Sequence, residues 1–250
     1  MLLGFDLNHL FLFPVRDGEA RKQFLIGALI YLAGSIVPIV PFVLASGYTA
    51  RIMRQVLNGE QPRMTAWDRW EEFLQDGIRI FGVRLIYMAP LLIVVIPLTL
   101  LMFAMPFWME TLSSSDADAL LALIPLVVAV VFMLIVPISF ALGIATFAAE
   151  THVVQTAEFA AAFRFREWWD IFRRNWGGFL VAFAISYVLS TVLTVLAQIA
   201  MITIILICLL PLILPGITMY TTLVMYAATA KAYKDGKDKL ALETAEALPS

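Results

Sequence analysis

The side chains that could carry acid–base, nucleophilic or metal chemistry lie outside the long apolar segments of this sequence. The two histidines, His9 and His152, are far apart in the chain, and we predict a surface hydrogen bond between His152 and the nearby Glu150 rather than a metal site. The sequence lacks the serine-elbow, zinc-helix and phosphate-loop motifs. We therefore predict no catalytic, cofactor-binding or metal-binding residue and no enzyme activity. Four carboxylates near arginines are expected to form solvated helix faces: Glu71, Glu72, Asp76 and Asp170.

The most polar side chain within an apolar segment is Gln198, which shares a helix face with Thr194 and Thr191 at steps of four and three residues. Two interpretations stay open for this polar helix face. The favoured one is hydrogen bonding between helices, which contributes about 0.6 kcal/mol per contact on average. The alternative is a polar lining for a solute path.

Two loops combine aromatic and charged residues at helical spacing. Residues 66–80 follow a helix-start signal at Thr65–Asp68, and residues 157–174 repeat the aromatic pattern. Such a pattern is typical of helices that lie in the membrane interface, with tryptophan rings at headgroup depth. The predicted interfacial anchors are Trp67, Trp70, Phe73, Trp168, Trp169, Phe172 and Trp176. The candidate headgroup-binding residues are Arg164, Arg166, Arg173 and Arg174.

The elements that would position these residues are membrane-spanning helices. The chain is 62% hydrophobic and 14% charged, with a mean hydropathy of +0.89, so it has too little polar surface for an ordinary soluble domain. An all-α polytopic membrane bundle is predicted, because a helix needs about 20 apolar residues to cross a bilayer. After an N-terminal arm at 1–22, one transmembrane domain is expected over 23–235, followed by a polar tail at 236–250. Its five kinked spans are expected near 23–50, 82–108, 119–149, 178–203 and 209–231.

The 17 lysines and arginines lie in only four segments, and they predict the orientation. The positive-inside rule places the loops 51–84 and 151–176 and the C-terminus in the cytoplasm, with the protein in the plasma membrane. Five spans would leave the N-terminal arm and its three positive charges outside. A re-entrant hairpin, folding back at Pro38 and Pro41, would remove this conflict, but we favour a single kinked span over 23–50.

The two loop segments also resemble each other. Trp67 and the residues after it parallel Trp169 and the residues after it, and Gly77 precedes Tyr87 by the same ten residues that separate Gly177 from Tyr187. We interpret this match as a weak internal duplication, of a kind found in many membrane folds.

One run of residues resembles a known family. Gly47-Tyr48-Thr49-Ala50-Arg51, Gly59-Glu60, Trp67-Asp68-Arg69-Trp70, Asp76-Gly77 and Ile86-Tyr87 to Pro90 are similar to the bacterial and archaeal membrane proteins grouped as domain of unknown function 4013. The family usually has a proline just before the tryptophan, whereas here Thr65 and Ala66 fill that space and the proline is Pro62. The resemblance implies a multi-pass membrane protein and brings no known activity.

Three functional hypotheses follow. The leading one is a non-enzymatic membrane component, such as a scaffold or partner subunit, that contacts lipids and a membrane protein partner or a second copy of itself. The alternatives are a transporter for a small or lipid-like solute and a membrane-embedded lipid-modifying enzyme. The net charge of −2 argues against a nucleic-acid partner, and the single cysteine, Cys208, excludes an internal disulfide.

Overall fold

The computed structural model of the chain describes residues 6–109, 114–201 and 204–246, with side chains at 6–108, 121–199 and 209–246. Cys208 and its surroundings therefore lie outside the described side chains. The described residues form eight α-helices: α1 Leu7–Leu12, α2 Gly18–Ala33, α3 Val40–Leu57, α4 Trp70–Met109, α5 Ser114–Thr156, α6 Phe165–Arg174, α7 Trp176–Met201 and α8 Ile204–Glu246. Two 3-10 turns, Phe13–Val15 and Phe159–Phe163, complete the all-α fold.

Four of these helices are long and apolar enough to cross a membrane. They are Trp70–Trp108, Leu121–Thr156, Trp176–Ile199 and Leu209–Glu246, and each carries one predicted span. Large apolar side chains are exposed along them, including Phe103 at 76% and Met133 at 80%. Such surfaces are unfavourable in water and normal in lipid. The predicted polytopic helical membrane protein is thus confirmed, with four candidate spans among the described residues.

The fifth predicted span, over 23–50, is not a single helix in the structure. This segment forms two helices, α2 and α3, separated by residues 34–39, and Ile39 has a backbone φ of 76°. Gln23 and Tyr48, near opposite ends of the segment, both contact Trp67. A continuous helix over 23–50 would hold its ends about 40 Å apart. The segment therefore folds back on itself, as in the hairpin alternative.

Local signals explain this hairpin. The Asp17 carboxylate caps α2 by accepting a hydrogen bond from the Ala20 N–H at 2.8 Å. Pro41 lies in the first turn of α3, where its missing N–H costs nothing. The Tyr31 and Phe42 rings pack edge to face across the break, with centroids 5.9 Å apart. Apolar side chains at the tip are exposed, most of all Ile36 at 83%.

Residues 66–80 do not form the separate interfacial helix that the sequence predicted. Residues from Trp70 onward belong to α4, which continues without interruption to Met109, so the interfacial segment and the span are one helix. Glu71 and Glu72 stabilise its first turn, where backbone N–H groups favour negative charge. The second predicted interfacial segment, 157–174, contains the separate helix α6, which ends at Arg174; Asn175 separates it from α7.

The described chain divides into two compact units, one formed by residues 84–146 and the other by the rest. In the larger unit, α8 is the central helix, and α1, α2, α3, α6 and α7 all pack against it. Met219, Leu223, Tyr226 and Tyr233 on α8 are each at most 1% exposed. Close side-chain packing around α8 therefore organises this unit.

The proposed duplication does not extend to the environments of the matched residues. Trp67 is buried and Trp169 is exposed. A Cβ on Gly77 would meet backbone, whereas a Cβ on Gly177 would meet nothing within 4 Å. Local sequence similarity here did not predict similar packing.

Candidate functional site

Several of the residues that carry the family resemblance, among them Gly47 and Gly77, lie where α3 crosses α4. A Cβ on Gly47 would be 1.8 Å from the Phe73 carbonyl oxygen, and a Cβ on Gly77 would be 1.9 Å from that of Val43. Side chains do not tolerate such distances, so the crossing requires glycine on both helices. Gly47 of α3 faces the backbone of α4, and Gly77 of α4 faces the backbone of α3, so the two helix backbones pack directly against each other.

An aromatic cluster closes this crossing. The Tyr48 and Trp67 rings stack with centroids 4.0 Å apart, and the Trp67 indole N–H donates to the Gln23 carbonyl at 2.9 Å. The Tyr48 hydroxyl donates to the Thr65 carbonyl at 2.9 Å and accepts from the Thr65 N–H at 3.0 Å. Burial raises the pKa of Tyr48 to about 12, because the phenolate would lose its hydration. Tyr48 therefore acts as a neutral structural residue.

Ion pairs connect the same two helices. The Asp76 carboxylate accepts from Arg54 at 2.9 Å and from Arg79 at 3.2 Å. The Arg51 guanidinium lies 5.9 Å from the centroid of the Phe73 ring, within range of a cation–π contact. The predicted solvated face around Asp76 is thus partly a contact between α3 and α4. The family-like residues described here hold the fold together.

The predicted interfacial anchors divide into two groups. Trp67, Phe73 and Trp168 are buried, and the Trp168 indole N–H donates to the Ala162 carbonyl at 3.1 Å. The rings of these three residues pack against other parts of the protein, so they cannot anchor the protein to lipid. The others remain accessible: Trp70, Trp169 and Trp176 are exposed, and Phe172 is half-buried against Trp169.

The candidate headgroup-binding arginines also divide. Arg164 pairs with Glu158 and Glu167, and Arg174 pairs with Glu243. Arg166 and Arg173 are exposed, and no carboxylate within the described residues pairs with them. Of the four arginines, these two have their full charge available to an anionic group.

A buried polar network was missed by the sequence analysis. Glu150 is 0% exposed, and the Tyr226 hydroxyl donates to its carboxylate. The His152 Nδ1 lies 2.6 Å from the Tyr233 hydroxyl, and its Nε2 lies 3.1 Å from a Glu167 oxygen. The predicted surface hydrogen bond between His152 and Glu150 is therefore wrong, because residues two apart on a helix face different directions. The signal available in the sequence was the pair Tyr226 and Tyr233, which are seven residues apart and therefore share one face of a helix.

The polar helix face lies on the outside of α7. Thr191, Thr194 and Gln198 are all exposed, whereas Phe179, Ala182, Ser186 and Ala197 form the inner side of the helix. Within the described residues, none of the three exposed side chains has a hydrogen-bond partner. By contrast, the Ser186 hydroxyl donates to the carbonyl four residues earlier. Within the larger unit, the face is thus directed away from α8, and its hydrogen-bonding capacity is unused.

Comparison with known proteins supports the family resemblance seen in the sequence. In the described part of the chain, no three side chains of the His, Cys, Asp or Glu types are grouped to hold a metal ion. No curated protein and no solved structure matches the chain. A family model described as protein of unknown function, DUF4013, matches residues 30–202, which is more than half of the chain. The chain therefore belongs to the DUF4013 family of proteins of unknown function.

Proposed function

We propose that this protein is a non-enzymatic, multi-pass subunit of the plasma membrane that assembles side by side with a second copy of itself through the outer face of α7. The observation that supports this proposal is the exposed row formed by Thr191, Thr194 and Gln198 on an otherwise apolar helix. The transport hypothesis needed this row to line a path inside the bundle. Its position on the side of α7 away from α8 gives no support to a path between these two helices.

The energetic argument rests on Gln198. An amide that enters an apolar medium without a hydrogen bond costs about 2–7 kcal/mol. A neighbouring helix in the bilayer can supply the missing partners, as polar side chains commonly do between membrane helices. The polar row would therefore favour association over exposure to lipid tails.

A second copy fits this face chemically. Threonine hydroxyls and glutamine amides both donate and accept hydrogen bonds, so a row of them is complementary to itself. The row carries no charge and needs no oppositely charged partner. In a twofold dimer the same patch meets itself, and such dimers are the commonest oligomers. These properties favour a homodimer over a partner of different chemistry.

Native mass spectrometry of the protein released from lipid nanodiscs tests this proposal. The wild type is expected as a dimer, and the double variant Thr194→Val with Gln198→Leu as a monomer. The matched control is Thr218→Val on α8, because the Thr218 hydroxyl is exposed but already donates to the Leu214 carbonyl. A monomeric wild type, or a double variant that stays dimeric, would refute the assignment.

We also propose that the N-terminal arm, the loops 51–84 and 151–176 and the C-terminus all lie in the cytoplasm. Four spans and one hairpin put all 17 lysines and arginines on one side, in agreement with the positive-inside rule. In a Cys208→Ser background, cysteine at Asn8 or Asn58 should resist a membrane-impermeant maleimide until the cells are lysed. Cysteine at Ser115 should react with intact cells. Labelling of Asn8→Cys from outside would contradict this topology.

A further inference from the structure

A charged cleft lies between the N-terminal arm, the loop after α3 and the polar part of α8. It consists of two adjoining cavities of about 220 and 450 Å³, which share His9, Glu60, Gln61 and Pro62 as lining residues. Leu10, Val56 and Ala227 form the buried apolar floor of the smaller cavity. A cleft of this size can hold a small molecule or the headgroup of a lipid.

Among the described residues that line the smaller cavity, one positively charged side chain lacks a partner. Lys231 is paired with Asp235 at 2.5 Å, whereas Lys234 has no ion pair or hydrogen bond within the described residues. Lys234 is only partly exposed, so its ammonium is less well hydrated than that of a surface lysine. A half-buried charge without a protein partner favours binding of an anion.

Gly59 keeps the space beside this ammonium open. Its backbone φ is +86°, a conformation that glycine adopts without strain. A Cβ at this position would lie 3.0 Å from the Lys234 Nζ, closer than ordinary van der Waals contact. The glycine therefore permits the turn that places the chain directly beside the Lys234 ammonium.

The opposite charge is also present in the cleft. Asp6 and Glu60 line the same cavity as Lys234. Glu60 is only loosely paired with Arg63, at 3.9 Å, and its side chain is 52% exposed. One free ammonium thus lies in a cavity with carboxylates that retain acceptor capacity, an arrangement that matches a ligand with both an anionic and a cationic end.

We propose that this cleft binds ethanolamine phosphate, with the phosphate at Lys234 and the ligand ammonium at Glu60 and Asp6. The ligand's two charges complement the cleft's free ammonium and its carboxylates, and its short two-carbon linker can lie on the apolar floor. This group occurs both as a free solute and as the headgroup of phosphatidylethanolamine. The site is separate from the α7 face and does not depend on the dimer.

Binding measurements on the full-length protein in nanodiscs test the proposal. Isothermal titration with free ethanolamine phosphate, in nanodiscs of phosphatidylcholine alone, measures the soluble ligand. Native mass spectrometry after reconstitution with equal amounts of phosphatidylethanolamine and phosphatidylcholine measures the lipid. Binding of the free compound identifies a solute site, and selective retention of phosphatidylethanolamine without binding of the free compound identifies a headgroup site.

Variants assign the binding to the cleft. Lys234→Gln is expected to weaken binding about tenfold or more, because it removes a charge-assisted hydrogen bond. The matched control, Lys237→Gln, lies one turn further along α8, is exposed and does not line the cleft. Absence of binding in both assays, equal loss in both variants, or equal affinity for inorganic phosphate would each overturn the proposal.

Discussion

Replacing Gly77 with alanine should destabilise the protein strongly, although alanine favours helix. The new Cβ would lie 1.9 Å from the Val43 carbonyl oxygen, whereas ordinary contacts begin near 3.4 Å. The obstacle is backbone, so α3 and α4 must separate. Overpacking of this kind costs about 1–3 kcal/mol, and the upper end applies because no side chain can rotate away.

The helix preference of alanine offsets about 1 kcal/mol of this cost, which leaves a net loss of about 2 kcal/mol. For a chain of this size that loss corresponds to a melting temperature about 4–8 °C lower. The assay is thermal unfolding in detergent, followed by the loss of the monodisperse peak in size-exclusion chromatography. Gly47→Ala should behave similarly, since its Cβ would lie 1.8 Å from the Phe73 carbonyl oxygen.

Gly143→Ala is the matched control. Gly143 lies inside α5, and a Cβ there would meet nothing within 4 Å. This variant should be as stable as the wild type or slightly more stable. If Gly77→Ala and Gly143→Ala melted at the same temperature, the close helix crossing would not exist as described.

Three further predictions concern buried polar groups. Folding raises the pKa of Tyr48 from 10 to about 12, so its contribution to the free energy of unfolding is complete below pH 10 and is lost as the pH rises through 12. Melting curves should show a loss of about 3 kcal/mol over this pH range in the wild type, and Tyr48→Phe should not show it. Trp67→Phe removes the indole hydrogen bond to the Gln23 carbonyl, which keeps its bond within α2, and should cost about 0.5–1.5 kcal/mol in the same assay, whereas an unchanged melting temperature would contradict the hydrogen bond. Tyr226→Phe removes one hydrogen bond to the buried Glu150 carboxylate and should cost about 1.5–3 kcal/mol, whereas an unchanged melting temperature would contradict this contact.

The four candidate spans among the described residues were predictable because bilayer thickness fixes how many apolar residues a crossing helix needs. The hairpin at 23–50 was not, since the segment also has the length of a single span. Its fold depends on the simultaneous contact of Gln23 and Tyr48 with Trp67, which no local pattern encodes. The lysine and arginine distribution was the informative signal, because only the hairpin places every positive segment on one side.

The candidate sites depended on tertiary contacts in the same way. Trp67 and Trp70 share one sequence pattern, but only Trp67 is buried, because it alone stacks on Tyr48. Glu150 follows directly after an apolar segment, and its burial depends on Tyr226, 76 residues later. The shared face of Thr191, Thr194 and Gln198 was predictable from helical spacing, whereas its outward direction required the position of α8.

Disulfide cross-linking across α7 tests the proposed assembly most directly. In a Cys208→Ser background, Thr194→Cys places a thiol within the polar row, and Val192→Cys places one on an exposed face about half a turn away. A disulfide requires the two Cα atoms to lie within about 7 Å. Rapid dimer formation by Thr194→Cys and not by Val192→Cys in native membranes is the expected result. Equal cross-linking at both positions, or at neither, would contradict a dimer formed through this face.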